Sequence, residues 1–347
     1  MRGILLMNLG TPDAPTTPAV RRYLREFLSD PHVIDIPAVP RWLLVNLVIA
    51  PFRSPKSAAA YKEIWTEKGS PLLVHSEELR DALQQRMGED WKVAIGMRYG
   101  SPSTREGLAE LEDAEEIVAI PLYPQFAQAS TLTARRKLEE EVEKLDARPD
   151  VRIAGDFYVD RGFIKALAAS AKESLEGIRQ DHLLMSYHGL PVHQLSCAGD
   201  PAMDCINEMK PCSGIHPNHP TCYRAQCYAT SRALAEELGL SEGSWSVSFQ
   251  SRLGNRPWIQ PFTDLHIEDL LEKGCRRLAV ICPSFVADNL ETLEEIGLQL
   301  REDFLEKGGE SLHLVACMNS HPAWVEALDQ MVRRELEAPR QRDPSDP

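Results

Sequence analysis

The sequence predicts an α/β protein made of two similar, doubly wound (Rossmann-like) domains with parallel sheets. Short apolar runs of strand length alternate with helical patterns, and the alternation is run through twice along the chain. The length of 347 residues agrees with about two domains. Regular alternation of this kind is typical of βαβ units, in which helices cover both faces of a parallel sheet.

The first half begins with a buried-strand pattern at residues 4–9, which ends at Gly10, Thr11 and Pro12. A helical pattern follows at residues 18–28. Later strands are predicted at residues 92–97, 116–121 and 151–154, and later helices at residues 77–87, 105–111 and 131–145. We therefore expect a first domain at residues 1–160.

The second half repeats the pattern. Its strands are predicted at residues 183–187, 245–249, 278–281 and 312–316, and its helices at residues 162–178, 229–238 and 323–336, with further helices between strands. We expect a second domain at residues 161–337. The tail at residues 338–347 is rich in proline and charge, which predicts disorder.

Composition excludes several classes of protein. A net charge of −14 argues against a nucleic-acid partner, because a surface that follows phosphates is basic. No run of 18 apolar residues is present, and the amino terminus does not read as a secretory signal. We expect a cytoplasmic protein whose eight cysteines are reduced, so that clustered cysteines indicate metal more than disulfides.

Residues 42–52 are the most apolar stretch of the chain, and Arg53 and Lys56 follow them. Two interpretations are open from the residues alone. The stretch is either an ordinary buried helix or an exposed apolar lip, flanked by cations, that contacts a bilayer surface.

A histidine stands where the strand at residues 183–187 ends. His188 follows the apolar run directly, and Gly189 and Pro191 then break the strand. Ligands of open α/β sheets lie outside the carboxyl ends of the strands, so His188 is a candidate for chemistry. A single histidine in such a place is more often a loop residue that bonds to backbone.

A group of acids follows the strand predicted at residues 278–281. Glu291, Glu294 and Glu295 share one face of a helix at spacings of i, i+3 and i+4. Acids in a first helical turn are also ordinary helix-start chemistry, so the group does not indicate a site by itself. A cleft between the halves, fed by strand ends, would suit a flat apolar ligand.

Five of the eight cysteines lie close together in a segment rich in Gly, Pro, Asp and Asn: Cys197, Cys205, Cys212, Cys222 and Cys227. Four thiolates suit zinc or an iron–sulfur cluster. The gaps between the first four lack the CxxC pattern of a zinc ribbon. Zinc with His216 or His219 as a further ligand stays open. Cys275, Cys282 and Cys317 are expected to pack as small apolar residues.

Several segments resemble the ferrochelatase family, whose members insert ferrous iron into a porphyrin. They are SYHGLP at 186–191, FVADNLETLEE at 285–295, FQSRLG at 249–254 with PW at 257–258, NLGTP at 8–12, GSPL at 69–72, MRY at 97–99 and PLYPQ at 121–125. The segments occur in family order from about residue 3 to about residue 325, which is far more specific than one motif.

The resemblance implies an activity and roles for residues. The chain would insert Fe²⁺ into protoporphyrin IX, giving protohaem and two protons, as the terminal step of haem biosynthesis. His188 and Glu291 match the catalytic pair, which would also meet the substrate iron, and Glu295 would extend an acidic track. The residues expected to bind substrate are Arg53, Tyr61, Ser70 and Tyr123.

This assignment agrees with the chemistry of the residues. A porphyrin must lose two pyrrole protons, and histidine accepts protons near neutral pH. Carboxylates hold a divalent ion without trapping it as thiolates do. The family's matching region forms the mouth of the porphyrin pocket, which favours an exposed lip at about residues 40–72 that also contacts a membrane peripherally.

The cysteine-rich insertion, at about residues 192–227, resembles the one that carries a 2Fe–2S cluster in some bacterial ferrochelatases. The implied ligands are Cys197, Cys205, Cys212 and Cys222, because relatives without a cluster often keep a cysteine at the position of Cys227. Two departures stand out. Residues 130–134 read Ser-Thr-Leu-Thr-Ala where the family usually has Ser-Thr-Thr-Gly-Ser, and Asn289 replaces a histidine that is common in relatives.

Two other functions remain as alternatives. One is a chelatase for coproporphyrin or sirohydrochlorin, although the apolar lip argues against the more carboxylated substrates. The other is a haem- or metal-binding protein without enzymatic activity. The partners expected are a porphyrin and ferrous iron, and the oligomeric state is left open.

Overall fold

The first half of the chain forms a four-stranded parallel sheet. This computed structural model describes residues 1–145, 149–200, 210–254 and 256–339. The strands are β1 (Arg2–Thr11), β2 (Trp91–Gly100), β3 (Glu116–Pro121) and β4 (Asp150–Ile153), in the order β2-β1-β3-β4. Central β1 is buried along almost its whole length, as its unbroken apolar run predicts for a strand covered on both faces.

The helices of this half cover the sheet and extend its carboxyl edge. They are α1 (Thr17–Leu28), α2 (Ala38–Leu43), α3 (Ala50–Ile64), α4 (Pro71–Met87), α5 (Thr104–Glu110) and α6 (Thr133–Val142), with wider helices π1 (Leu44–Ile49) and π2 (Gln128–Leu132). Helix α4 begins six residues before its predicted start. Ser70 occupies its N-cap position and Pro71 its first turn, where proline costs no hydrogen bond.

The second half repeats the architecture. Its strands are β5 (His182–His188), β6 (Trp245–Gln250), β7 (Arg277–Ile281) and β8 (Ser311–Leu314), all parallel and in the order β6-β5-β7-β8. Its helices are α7 (Arg161–Ser174), α8 (Tyr223–Leu238), α9 (Thr263–Glu272), α10 (Arg301–Glu306) and α11 (Pro322–Glu337), with π3 (Glu291–Leu300) and a short 3₁₀ turn (Val192–Gln194). The predicted α/β class with two doubly wound parallel sheets is confirmed.

Strand order explains where a ligand can enter. In each sheet the first strand lies between the second and the third, so the chain switches sides between β1 and β3 and between β5 and β7. Crevices open at the carboxyl ends of strands at such switch points. His188 ends β5, and π3 begins with Glu291 after the loop that follows β7.

The carboxyl-terminal helix α11 joins the two halves. Trp324 is fully buried and contacts Phe157 and Phe163, with ring centroids 5.7 and 5.9 Å away. Further along the helix, Asp329 accepts a hydrogen bond from Arg86 of α4 at 2.8 Å. Removing a buried aromatic such as Trp324 costs about 3–5 kcal/mol. Because α11 contacts both halves, the domain boundary at residue 160 stays a prediction. Most of the predicted disordered tail lies outside the described residues.

The apolar stretch at residues 42–52 is largely exposed, although Val45 and Ala50 within it are buried. It runs from the end of α2 through π1 into the start of α3, and Trp42, Leu47 and Phe52 are 58%, 58% and 78% exposed. The stretch is therefore not an ordinary buried helix, and its contact with a bilayer stays a prediction. No helix in the described part of the chain is long and apolar enough to cross a membrane.

Candidate active site

His188 presents one free ring nitrogen at the end of β5. Its Nδ1 lies 2.7 Å from the carbonyl oxygen of Gly189. Because a carbonyl only accepts, Nδ1 carries the hydrogen, and in the neutral ring Nε2 is the acceptor. No residue in the described ranges hydrogen-bonds to Nε2. The backbone is held as well, since Tyr223 donates to the His188 carbonyl at 2.8 Å and Ser284 accepts from its N–H at 3.3 Å.

Glu291 occupies the first position of π3. Burial raises the pKa of its carboxyl, and the negative charge of Glu295 acts in the same direction, while the charges of His188 and Arg53 lower it. The carboxyl therefore stands in a poorly hydrated place between groups from both halves. Such a group can hold a cation and exchange a proton close to it.

The departure at Asn289 is explained locally. Its side-chain oxygen accepts the backbone N–H of Thr292 at 3.1 Å, and its amide donates to the carbonyl of Ala287 at 3.2 Å. Asn289 thus caps the start of the helix, which is the ordinary use of asparagine at that position. Both ends of its side chain serve the backbone of the loop that presents Glu291.

Glu295 and Glu294 have different hydrogen-bond partners. Both carboxylate oxygens of Glu295 accept hydrogen bonds from Ser251, from its backbone N–H at 2.8 Å and from its hydroxyl. Glu294 instead accepts from Gln299 of its own helix at 2.6 Å. The two acids therefore have different partners on a wider π-helix, and the shared face of the three acids stays a prediction.

Two of the predicted substrate residues lie on α3, which packs against π3. Arg53 is exposed, and no described residue forms an ion pair with it. Tyr61 is buried, and burial raises its pKa, with the charge of Glu291 raising it further. The structure therefore brings Arg53 and Tyr61 close to Glu291, which is more than 200 residues away from them in the chain.

Ser70 and Tyr123 occupy different surroundings. The hydroxyl of Ser70 is buried and lies 2.7 Å from the hydroxyl of Thr11. The hydroxyl of Tyr123 is buried and has no hydrogen-bond partner in the described structure. Burial raises its pKa, so the hydroxyl stays protonated and can donate. A buried donor without an acceptor is costly, which makes Tyr123 a candidate for contact with a ligand.

The segment at residues 130–134, which differs from the usual family sequence, contacts Asp30 and Arg98 through Thr133. The hydroxyl of Thr133 donates to Asp30 at 2.5 Å and accepts from Arg98 at 2.7 Å. Asp30 also accepts from Tyr99 at 2.9 Å and pairs with Arg98. Burial alone raises the pKa of Asp30, but these partners outweigh it, so that its pKa is lowered and the carboxylate is charged.

Three of the four predicted cluster cysteines lie in the described structure, and Cys205 lies outside it. Cys197 and Cys222 are buried, with their sulfur atoms 3.6 Å apart. Buried Arg224 donates to the sulfur of Cys212 at 3.0 Å. Among the described residues, no group of three or more His, Cys, Asp or Glu side chains has the arrangement of a metal site.

His216 and His219, the candidate ligands for zinc, form hydrogen bonds within the protein. Nε2 of His219 lies 2.7 Å from Asp200, and the ring of His219 lies 5.7 Å from that of His216. Nδ1 of His216 accepts the N–H of Asn218 at 3.3 Å. Cys275, Cys282 and Cys317 are buried at other places in the second half.

Comparison with known proteins decides the family. The sequence matches the ferrochelatase family over residues 1–336. The chain belongs to the ferrochelatase family. It is 46% identical over 335 residues to a ferrochelatase of Legionella pneumophila (strain Corby), which covers 96% of this chain and 99% of that protein. It is 44% identical over 337 residues to a ferrochelatase of Coxiella burnetii (strain Dugway 5J108-111), and the match covers 96% of this chain and 94% of that protein.

Solved structures show the same fold at low sequence identity. SirB from Bacillus subtilis with Fe³⁺ superposes with a TM-score of 0.55 at 10% identity, over 96% of this chain and 95% of that one. DR2241 from Deinococcus radiodurans, a multi-domain protein with structural similarity to chelatases, superposes with a TM-score of 0.50 at 13% identity. The superposition covers 95% of this chain and 54% of that one. Family membership confirms that this chain is a lyase of the ferrochelatase type, an enzyme of the terminal step of haem biosynthesis.

Three residues to which the sequence assigns no individual role contribute to the ferrochelatase site. Gln250 is buried at the end of β6, and its amide donates to the carbonyl of Glu291 at 2.9 Å. Ser251 holds Glu295, and Tyr223 holds the backbone of His188. A glutamine that ends an apolar strand is a signal for Gln250 alone.

Proposed function

We propose that this ferrochelatase inserts Fe²⁺ into protoporphyrin IX by means of His188 and Glu291. The observation that carries the proposal is the free Nε2 of His188, which stands at the switch point of the second sheet near the desolvated carboxyl of Glu291. Iron and porphyrin are the substrates, and protohaem and two protons are the products.

Each residue of the pair has a separate role. His188 accepts a pyrrole proton at Nε2, which the bond from Nδ1 to Gly189 orients. Glu291 supplies a hard oxygen ligand to the incoming iron and offsets its charge while water leaves it. The resemblance alone places Glu295 in an acidic track, and a role that does not depend on its charge is argued below.

Four residues of the first half are proposed to bind the porphyrin. The exposed guanidinium of Arg53 can pair with a propionate in bidentate fashion. Tyr61 and Ser70 would line the same pocket, and Tyr123 would give its unpartnered hydroxyl to the substrate.

Protoporphyrin is expected to be a better substrate than coproporphyrin. The apolar lip suits an edge without carboxylates, and two further propionates would be poorly hydrated against it. We expect kcat/KM to favour protoporphyrin by about tenfold or more, measured anaerobically with ferrous iron. A faster rate with coproporphyrin or sirohydrochlorin would identify a different chelatase, and binding without turnover would identify a carrier.

We also propose that the lip contacts a membrane surface while the protein itself resides in the cytoplasm. Trp42 and Phe52 are large, exposed and close to Arg53 and Lys56, which suits shallow insertion beside lipid headgroups. Wild-type protein should sediment with phosphatidylcholine vesicles, and the double variant W42S/F52S should bind at least about tenfold more weakly. L265S is the control, because Leu265 is 50% exposed on α9 in the other half. An equal loss in the control would contradict a role specific to the lip.

The cysteine-rich insertion is proposed to hold a 2Fe–2S cluster on Cys197, Cys205, Cys212 and Cys222. The short distance between two buried sulfur atoms supports the proposal, as does the guanidinium of Arg224, since a cation beside a thiol favours the thiolate that binds iron. A bound cluster would supply cross-linking of the insertion. The chemical step, in which iron enters the porphyrin, is assigned to His188 and Glu291 and not to the cluster.

A further inference from the structure

The end of strand β6 is fastened to π3 at two places. The amide of Gln250 donates to the carbonyl of Glu291 at 2.9 Å. The next residue, Ser251, donates from its backbone and its hydroxyl to the two carboxylate oxygens of Glu295. The two contacts lie four residues apart on π3, so they fix both the position and the direction of the helix start.

Ser251 is held in a conformation that serine rarely adopts. Its φ angle is +65°, in the left-handed region where a Cβ atom is strained. A residue stays there only when its surroundings supply compensating contacts. The two hydrogen bonds to Glu295 are such contacts, and they turn the chain out of β6 toward π3.

Gln250 connects the same contact to His188. Its backbone carbonyl accepts the N–H of Gly189 at 2.8 Å, and its side-chain oxygen accepts the hydroxyl of Ser186 at 2.7 Å. Gln250 is also the register partner of His188 between β5 and β6. One buried glutamine therefore hydrogen-bonds both to the backbone of Gly189, which follows His188, and to the backbone of Glu291.

We propose that Glu295 is a positioning residue, which acts by holding Ser251 and thereby sets Glu291 relative to His188. Each of its two carboxylate oxygens accepts a hydrogen bond from Ser251. The role requires two correctly placed hydrogen-bonding atoms and does not require a negative charge. The inference rests on the proposed function of His188 and Glu291, and it differs from an acidic track, in which the charge of Glu295 is essential.

Four variants separate the two roles: E295Q, E295A, S251G and E295A/S251G. In E295Q the amide oxygen still accepts the N–H of Ser251, and the amide nitrogen can donate to its hydroxyl, so we expect kcat of E295Q to be at least about fivefold higher than that of E295A. In E295A, Ser251 is released from the strained conformation, and misplacement of Glu291 should lower kcat by about 10- to 100-fold. Iron insertion into protoporphyrin is measured for each, with thermal unfolding as the check on folding.

Glycine provides the rescue. It adopts the left-handed conformation without steric cost, so S251G should lose less of the wild-type kcat than E295A does, and E295A/S251G should recover several-fold over E295A. The KM for protoporphyrin should stay constant, because the proposed pocket residues Arg53 and Tyr61 are on α3. A general loss of folding would instead affect every kinetic constant and the melting temperature.

The outcomes distinguish the inference from its basis. Equal losses in E295Q and E295A, without recovery by S251G, would show that the charge is needed and would overturn the positioning role. A wild-type rate in E295A would overturn it as well. Wild-type protein without turnover on any porphyrin would overturn the proposed function itself.

Discussion

Replacing His188 with alanine is expected to abolish iron insertion and to leave the fold intact. The variant removes the Nε2 acceptor at the end of β5, and loss of a general base lowers a rate by about 10²–10⁴-fold. The ring bonds only to the carbonyl of the following residue in the described structure, so its removal leaves the core unchanged. Initial rates of metal insertion and the melting temperature measure the two effects. Normal turnover by a well-folded H188A protein would refute the assignment.

A second single variant, Glu291→Gln, tests the other residue of the pair. Glutamine keeps the shape of the side chain and removes its charge. We expect E291Q to lose most of the activity. E294Q is the matched control, since Glu294 is on the same helix but hydrogen-bonds to Gln299. Equal activity in E291Q and E294Q would exclude a special role for Glu291.

Much of the fold follows from the order of apolar runs in the sequence. The runs that form β1, β5 and β7 are short, continuous and bounded by Gly, Pro or polar residues, which is typical of strands buried on both faces. The position of His188 at a strand end could be predicted for the same reason. The order of strands within each sheet could not, because a βαβ pattern does not say on which side the next strand pairs.

The contacts that refine the site depend on distant residues. The left-handed conformation of Ser251 has no sequence signal, since serine normally avoids it and Glu295 lies 44 residues away. On π3, Glu295 accepts from Ser251 across the fold, whereas Glu294 accepts from Gln299 of its own helix, and their spacing does not predict this difference. Cysteine spacing likewise cannot reveal that Cys197 lies beside Cys222.

Serine at Cys197, Cys205, Cys212 or Cys222 is expected to remove the proposed cluster. Anaerobically purified wild-type protein should be coloured and should contain about two irons per chain, as four thiolates around two irons require. A serine hydroxyl is a poor ligand for iron, so each variant should lose visible absorbance and most of this iron. The melting temperature should also fall, because the Gly- and Pro-rich insertion has few apolar residues to order it without metal.

Cys227→Ser distinguishes the ligand set, and Cys275→Ser controls for the loss of any buried thiol. Cys227 is fully buried on α8, and burial raises the pKa of its thiol, which favours the protonated form over a metal-binding thiolate. Cys275 is buried on the far side of the second sheet, against α9 and β7. Both variants should stay coloured. Loss of colour in C227S would place Cys227 among the ligands, and colourless wild-type protein with one bound zinc would replace the cluster with a zinc site.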